Sequence, residues 1–388
     1  MSIHDRSAVR TWPLYVGGFL GPFGSPVVTT MLPEMAADLN STVGAVSTSL
    51  TAYLLPFAAL MLVSGTLAER FGRRRSVAAG YVVYTLASVG CAVAPTFGVL
   101  MLCRVLQGAS NAFTTPVLVA AITEAVPRER LGRSLGLFGS MQATGQAMAP
   151  LIGGIAATFD WRYAFWGTAL VSAVLAALPP ENSRIPQIGS AADRWRALLN
   201  RQLGVASLVA ALAFLTTLGV AVVAALYASQ AFGLGPTARG LVVAVFGLSG
   251  LAVGRWLGGL MDRHGQVLVG AVMHLVLGIG AALCGLTPTV ALLVIAIGVA
   301  GAAATGTRAV VQTLAVTSAP ANRSGATSVM LACQFGGAAL APVLWVPIFL
   351  ADVARGGDGG VALVACGVPA VVAAAILAVV YRMRWVRA

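Results

Sequence analysis

Arg104 sits where a charge is hardest to place. It lies inside the apolar run Leu102-Cys-Arg104-Val-Leu-Gln107-Gly108-Ala109. A charged side chain deep in an apolar span costs about 2.5–3.5 kcal/mol or more, and normally faces a cavity or a partner. Gln107 and Asn111 follow at i+3 and i+7, on the same helical face. A guanidinium so placed could hold an acceptor group of a ligand, or favour the ionised form of a nearby acid. The alternative is a long side chain snorkelling to the interface. Arginine does not titrate, so proton chemistry needs another group. The acids are Asp5, Glu34, Asp38, Glu69, Glu124, Glu129, Asp160, Glu181, Asp193, Asp262, Asp352 and Asp358, and all stand at the ends of apolar runs or in loops. Glu34 and Asp38 are the nearest candidates for carrying protons. No nucleophile–base pair and no metal-ligand cluster is visible, so no enzyme, cofactor or metal is expected.

The elements that carry these residues are apolar. The chain is 58% hydrophobic and 9% charged, with mean hydropathy +0.89, where a soluble protein carries roughly 25% charged residues. All 24 basic residues are arginine, which with the abundance of Ala, Val and Gly suggests a GC-rich bacterial genome. A span takes about 20 apolar residues. Twelve are predicted: 12–33, 44–68, 77–94, 98–122, 132–157 and 162–179, then 203–226, 238–259, 267–286, 289–313, 324–350 and 361–383. The expected fold is an all-α membrane protein.

The net charge of +12 does not imply nucleic-acid binding, because the arginines fall in short loops on one side of this topology. Eighteen of them, from Arg6 and Arg10 to Arg387, share the side of the termini; Arg162, Arg239 and Arg355 lie opposite. The positive-inside rule then places both termini in the cytoplasm. The odd number and scatter of the five cysteines argue against a disulfide framework. The longest polar stretch, 181–202, reads as a cytoplasmic linker between units 1–180 and 203–388, and Asp193-Arg-Trp-Arg within it could form a short interfacial helix.

Those two units repeat one another. Gly65-Thr-Leu-Ala-Glu69-Arg70-Phe-Gly72 aligns with Gly258-Gly-Leu-Met-Asp262-Arg263-His-Gly265 at a shift of 193 residues, which also carries Gly108 onto Gly301. The shift becomes 192 at Gly145-x-x-x-Ala149-Pro150 and Gly337-x-x-x-Ala341-Pro342. Repeats of this kind in a membrane protein place a binding site between halves that can rock. Arg104 maps onto Ile297 and Arg308 onto Thr115, so the charges are not shared. Arg308, near the cytoplasmic end of its span, is expected to be interfacial.

The loop Gly65-x-Leu-x-Glu69-Arg70-x-Gly72-Arg73-Arg74-Arg75 between spans 2 and 3, with its weaker echo at Asp262-Arg263 between spans 8 and 9, resembles the signature loop of the major facilitator superfamily. Arg104-x-x-Gln107-Gly108 in span 4 resembles its R-x-x-Q-G motif. Gly145-x-x-x-Ala149-Pro150-x-x-Gly153-Gly154 in span 5 resembles the antiporter motif of the twelve-helix drug/proton antiporter branch, with Ala149 in place of a glycine. The resemblance covers essentially the whole chain. It implies twelve transmembrane helices in two pseudo-symmetric six-helix bundles, probing alternate faces of a bacterial inner membrane as a monomer.

It also implies export of amphipathic small molecules, such as antibiotics, in exchange for protons. The cavity is expected to take Arg104, Gln107, Asn111, Gln142, Gln146, Phe23, Tyr53, Phe57 and Phe335, with Phe19 and Phe246 as further candidates. The loop residues Gly65, Glu69, Arg70, Gly72, Arg73, Asp262 and Arg263 are expected to form a conformational switch, Glu69 and its arginines pairing with Glu124 or Glu129. Many cation exporters of that branch carry a carboxylate inside a span; none is present here, which favours neutral or weakly anionic substrates. The alternative is a carrier of one metabolite, a sugar, amino acid or natural product, on the same fold.

Overall fold

A computed structural model describes residues 3–126, 128–179 and 198–385. The first half comprises α1 (Ile3–Phe23), a 3-10 turn (Pro26–Val28), α2 (Leu32–Asp38), α3 (Val43–Phe71), α4 (Arg73–Ala92), α5 (Phe97–Asn111), α6 (Thr115–Ala125), α7 (Arg128–Phe159) and α8 (Arg162–Ala177). The second comprises α9 (Arg201–Phe232), α10 (Pro236–His264), α11 (Gln266–Cys284), α12 (Val290–Ser318), α13 (Arg323–Ala354) and α14 (Gly360–Trp385). The end holding the α3–α4 and α10–α11 connections is called the near end; α2 and the α7–α8 and α9–α10 connections mark the far end.

Seven helices, α3 and α9 to α14, are long and apolar enough to cross a membrane by themselves. The other five spans fall short for local reasons. Helix α8 has only 16 residues, and α4 and α7 begin with arginine-rich turns. Spans 1 and 4 are each divided, which corrects the continuous runs expected at 12–33 and 98–122. In span 1, Pro22, Pro26 and Pro33 remove backbone donors and clash with the preceding turn, so α1 stops at Phe23 and resumes as α2. In span 4 the hydroxyl of Thr114 donates to the Asn111 carbonyl at 2.8 Å, competing with the helix, and Pro116 restarts it as α6. The stretch 180–197, with most of the expected linker and the interfacial helix, lies outside the described residues.

The result is an all-α membrane protein of twelve transmembrane helices in two pseudo-symmetric six-helix bundles. The halves meet where α7 lies on α10 and α3 on α13. The repeat register is visible as contacts. A Cβ at Gly108 would overlap the carbonyl of Tyr53, and one at Gly301 the carbonyl of Phe246, the same pair 193 residues on. A Cβ at Gly145 would overlap the Phe19 carbonyl, and one at Gly337 that of Ala211, the same pair 192 residues on. Gly72 and Gly265, 193 apart, both turn with positive φ, +90° and +81°, a conformation that L side chains resist.

Candidate functional site

A cavity of about 270 Å³ lies between the halves, just below the usual range for ligand pockets of roughly 300–1,000 Å³. Its lining follows the repeat. Pro22 and Phe214, Ser25 and Thr217, Tyr53 and Phe246, Thr115 and Arg308, and Gln142 and Gln334 are pairs related by the 192 or 193 shift, and both members of each pair face it. Phe57 meets Phe335 edge-on at 4.7 Å between ring centres, and Phe335 meets Phe214 at 6.0 Å. Of the residues expected in the cavity, Tyr53, Phe57, Gln142, Gln146, Phe246 and Phe335 line it.

Arg104, Gln107, Asn111, Phe19 and Phe23 do not line it. Arg104 is fully buried behind the wall and does not snorkel. Its Nη1 donates to the Gly24 carbonyl and to Gln107 Oε1, both at 2.9 Å, and its Nε to the Ser49 carbonyl at 3.3 Å. Gln107 in turn donates to Ser88 Oγ at 2.7 Å. Asn111 donates to the Gly21 carbonyl at 3.1 Å and to the Tyr53 hydroxyl at 2.8 Å. The reason is the break in span 1. Where α1 ends, its last carbonyls lose their helical partners, and Arg104 and Asn111 supply donors, a cation being favourable at a helix C-terminus. Span 7 has no such break: α9 runs unbroken, with Phe214 and Leu218 in the positions of Pro22 and Pro26. Ile297, the counterpart of Arg104, therefore has no open carbonyls to serve. Tyr53 links the two layers, with one face on the cavity and the Arg104 guanidinium 4.5 Å from its ring centre.

The charge in the cavity is Arg308, which sequence reasoning placed at the interface. It stands within α12 (Val290–Ser318), with Nη2 donating to Gln146 Oε1 across the halves at 2.5 Å and its guanidinium 5.0 Å from the Phe214 ring centre. The available signal was its repeat partner, Thr115, on the helix of Arg104. The cavity-lining carboxylate count among the described residues is zero.

At the far end the halves are held together. Arg239 of α10 is 3% exposed and binds Glu34 Oε1 of α2 at 2.5 Å, the Thr30 carbonyl at 3.1 Å and Ser229 Oγ at 3.0 Å. Thr158 and Thr237 share a hydrogen bond of 2.7 Å. Asp38 is paired with Arg162 beside Trp161 on the surface of the first half. In α7, Gly145 and Gly153 lie against the backbone of span 1 at Phe19 and Val27, whereas Gly154 meets Pro236 and Gly240 of the other half. Ala149 and Pro150 are buried between these contacts, and Thr30 donates to the Pro150 carbonyl at 2.8 Å.

At the near end, fewer contacts between the halves fall among the described residues. A Cβ at Gly65, Gly132, Gly136 or Gly139 would meet nothing within 4 Å. Arg70, Asp262 and Arg263 are exposed there. The side chains of Glu69, Glu124 and Glu129 lie outside the described residues, as does the charge cluster expected of them. Between described residues, the bonds that join the halves are those at the far end, Thr51 to the Ala339 carbonyl at 2.6 Å, and Arg308 to Gln146.

Two related helical bundles around one cavity are the architecture of a secondary transporter. The chain belongs to the Major Facilitator Superfamily, whose profile matches residues 14–342 and 208–385. It is 32% identical over 187 residues to an uncharacterized MFS-type transporter of Mycobacterium tuberculosis, covering 46% of this chain and 32% of that protein. It is 34% identical over 140 residues to a multidrug resistance protein B homolog of the same organism, covering 36% of this chain and 26% of that protein. The chain thus spans about a third or less of the length of these relatives. Among solved structures, a bacterial homolog of the human lysosomal transporter Spinster superposes with TM-score 0.77 at 17% identity, over 98% of each chain.

Proposed function

We propose that this transporter exports amphipathic small molecules across a bacterial inner membrane, in exchange for protons, by alternating access between two units divided at 181–202. The near end, with its arginines, is the cytoplasmic face. The observation that carries the reading is the central cavity, walled by Phe57, Phe214, Phe246 and Phe335 and edged by glutamines. Apolar aromatic walls tolerate many shapes. Export is supported by the span 5 motif and by the likeness to the multidrug resistance protein B homolog. The loop Gly65–Arg73 and its echo at Asp262-Arg263 act as the cytoplasmic latch of the outward-open state.

Glu34 carries the proton in this reading. With no carboxylate among the described cavity residues, the acid best placed to couple protons to motion is the one that ties the halves. Protonating it from outside weakens the tie to Arg239 and frees the far end to open. Asp38, paired within its own half, is the weaker choice.

The test is a drug-susceptibility panel in an efflux-deficient host with and without the gene, followed by flux in proteoliposomes under an imposed pH gradient. Raised tolerance to several amphipathic compounds, with flux that collapses with the gradient, is expected. Saturable counterflow of one metabolite with no change across the panel would replace this reading with that of a dedicated carrier.

A further inference from the structure

We propose that the cavity is a receptor for organic anions, with Arg308 binding the carboxylate of an aromatic acid whose ring lies against Phe214 and Phe335. The proposal rests on the transport reading and narrows its substrate class.

Arg308 is the charged member of the cavity lining. It makes no ion pair with a described acid, and its hydrogen bond is the one from Nη2 to Gln146. Guanidinium has five N–H donors. Arg308 lines the cavity itself, so a ligand there stands within reach of its guanidinium. The ring of Phe214, 5.0 Å from the guanidinium, offsets part of the cost of this charge. A cation at membrane depth ordinarily has a counter-charge, and here the protein supplies none from its described residues. A ligand carboxylate would complete the site through the planar fork of donors.

Two further groups point the same way. Thr217 lines the cavity one turn from Phe214, is buried, and its hydroxyl has no partner. Gln334 lines it next to Phe335, is 2% exposed, and its Oε1 has no partner. Both atoms are buried and unpaired in this state, a costly condition that turning either side chain toward a bound ligand would relieve. Thr217 offers a donor to the anion, and Gln334 an acceptor for a hydroxyl or amide elsewhere on the ligand. The Arg308–Gln146 bond joins the two halves. A carboxylate that takes over Nη2 would release Gln146, so ligand binding would loosen a link between the bundles.

The probes are 2-naphthoate, its neutral amide 2-naphthamide, and the cationic 2-naphthylmethylammonium, titrated by calorimetry against the full-length protein in lipid nanodiscs. Wild type should bind the acid at least about tenfold more tightly than the amide, and the cation most weakly. Arg308→Gln should weaken naphthoate by about 10–100-fold and leave naphthamide within about threefold. Retained amide binding is the control for folding. If Arg308→Gln binds neither probe, Arg308→Lys decides: a surviving preference for the acid supports the site, and its absence overturns it. Equal binding of acid and amide by wild type, or undiminished naphthoate binding in Arg308→Gln, also overturns it. Binding in nanodiscs does not depend on export, so proteoliposome flux of naphthamide without acid selectivity would sink the anion site and leave the transport reading standing.

Discussion

Replacing Glu34 by Gln should unlatch the far end. In wild type the carboxylate accepts from Arg239 Nη2 at 2.5 Å, the arginine being 3% exposed and the acid 27%. A hydrogen bond to a charged group contributes about 1.5–3 kcal/mol; partial exposure of Glu34 screens it toward the lower half of that range. Glutamine keeps an acceptor but not the charge, and Arg239 keeps Thr30 and Ser229 as partners, so the loss should be about 1–2 kcal/mol. That shifts the balance between closed and open far ends by roughly 5–30-fold. Spin labels at Ala37 of α2 and Ala354 of α13, both exposed far-end positions on opposite halves, in a cysteine-free background, would report it as a growing long-distance population. Identical distance distributions in wild type and Glu34→Gln would refute the latch and remove Glu34 from the coupling.

The repeat was the most legible feature of the sequence, because identical backbone contacts demand small residues at identical offsets. Gly108 and Gly301 are fixed by approach to carbonyls, Gly72 and Gly265 by positive φ. None of these can be replaced cheaply, so the register is written in glycine. The cavity was legible where the helices are regular: Tyr53, Phe57, Gln142, Gln146 and Phe335 sit on inward faces that helical spacing alone indicates. It was illegible where the backbone departs from a helix. Spacing showed that Arg104, Gln107 and Asn111 share a face, but not that the broken span 1 occupies that face and consumes their donors. Arg308 was misplaced for a related reason. A span ending at 313 puts it near the membrane surface, whereas α12 runs on to Ser318 and Arg308 lines the cavity. The Glu34–Arg239 tie joins residues 205 apart in sequence, and no local pattern announces it.

Four further perturbations separate packing from gating. Gly154→Leu should act on conformation, since its Cβ meets Pro236 and Gly240 of the other half; overpacking of about 1–3 kcal/mol should open the far-end label pair, and unchanged distances would exclude α7 from the seal. Gly153→Leu presses on Val27 and Thr30 of its own half, so it should lower thermal stability in detergent with less effect on those distances. Gly72→Ala should cost about 1–3 kcal/mol of stability through backbone strain at φ +90°, read as a lowered melting temperature. Arg104 gives the sharpest case. If its charge serves the open carbonyls of span 1, Arg104→Ile should lower the melting temperature strongly, because the Gly24 carbonyl loses a donor at about 1–3 kcal/mol. Adding Pro22→Phe and Pro26→Leu gives span 1 the residues that α9 carries at those positions, alongside the isoleucine that α12 carries. With the prolines gone the helix can close on its own carbonyls, so the triple variant should recover part of what Arg104→Ile loses. Additive losses in the triple variant would mean that the arginine does not serve the break. An Arg104→Ile variant as stable as wild type, but inactive in flux, would return Arg104 to the transport machinery.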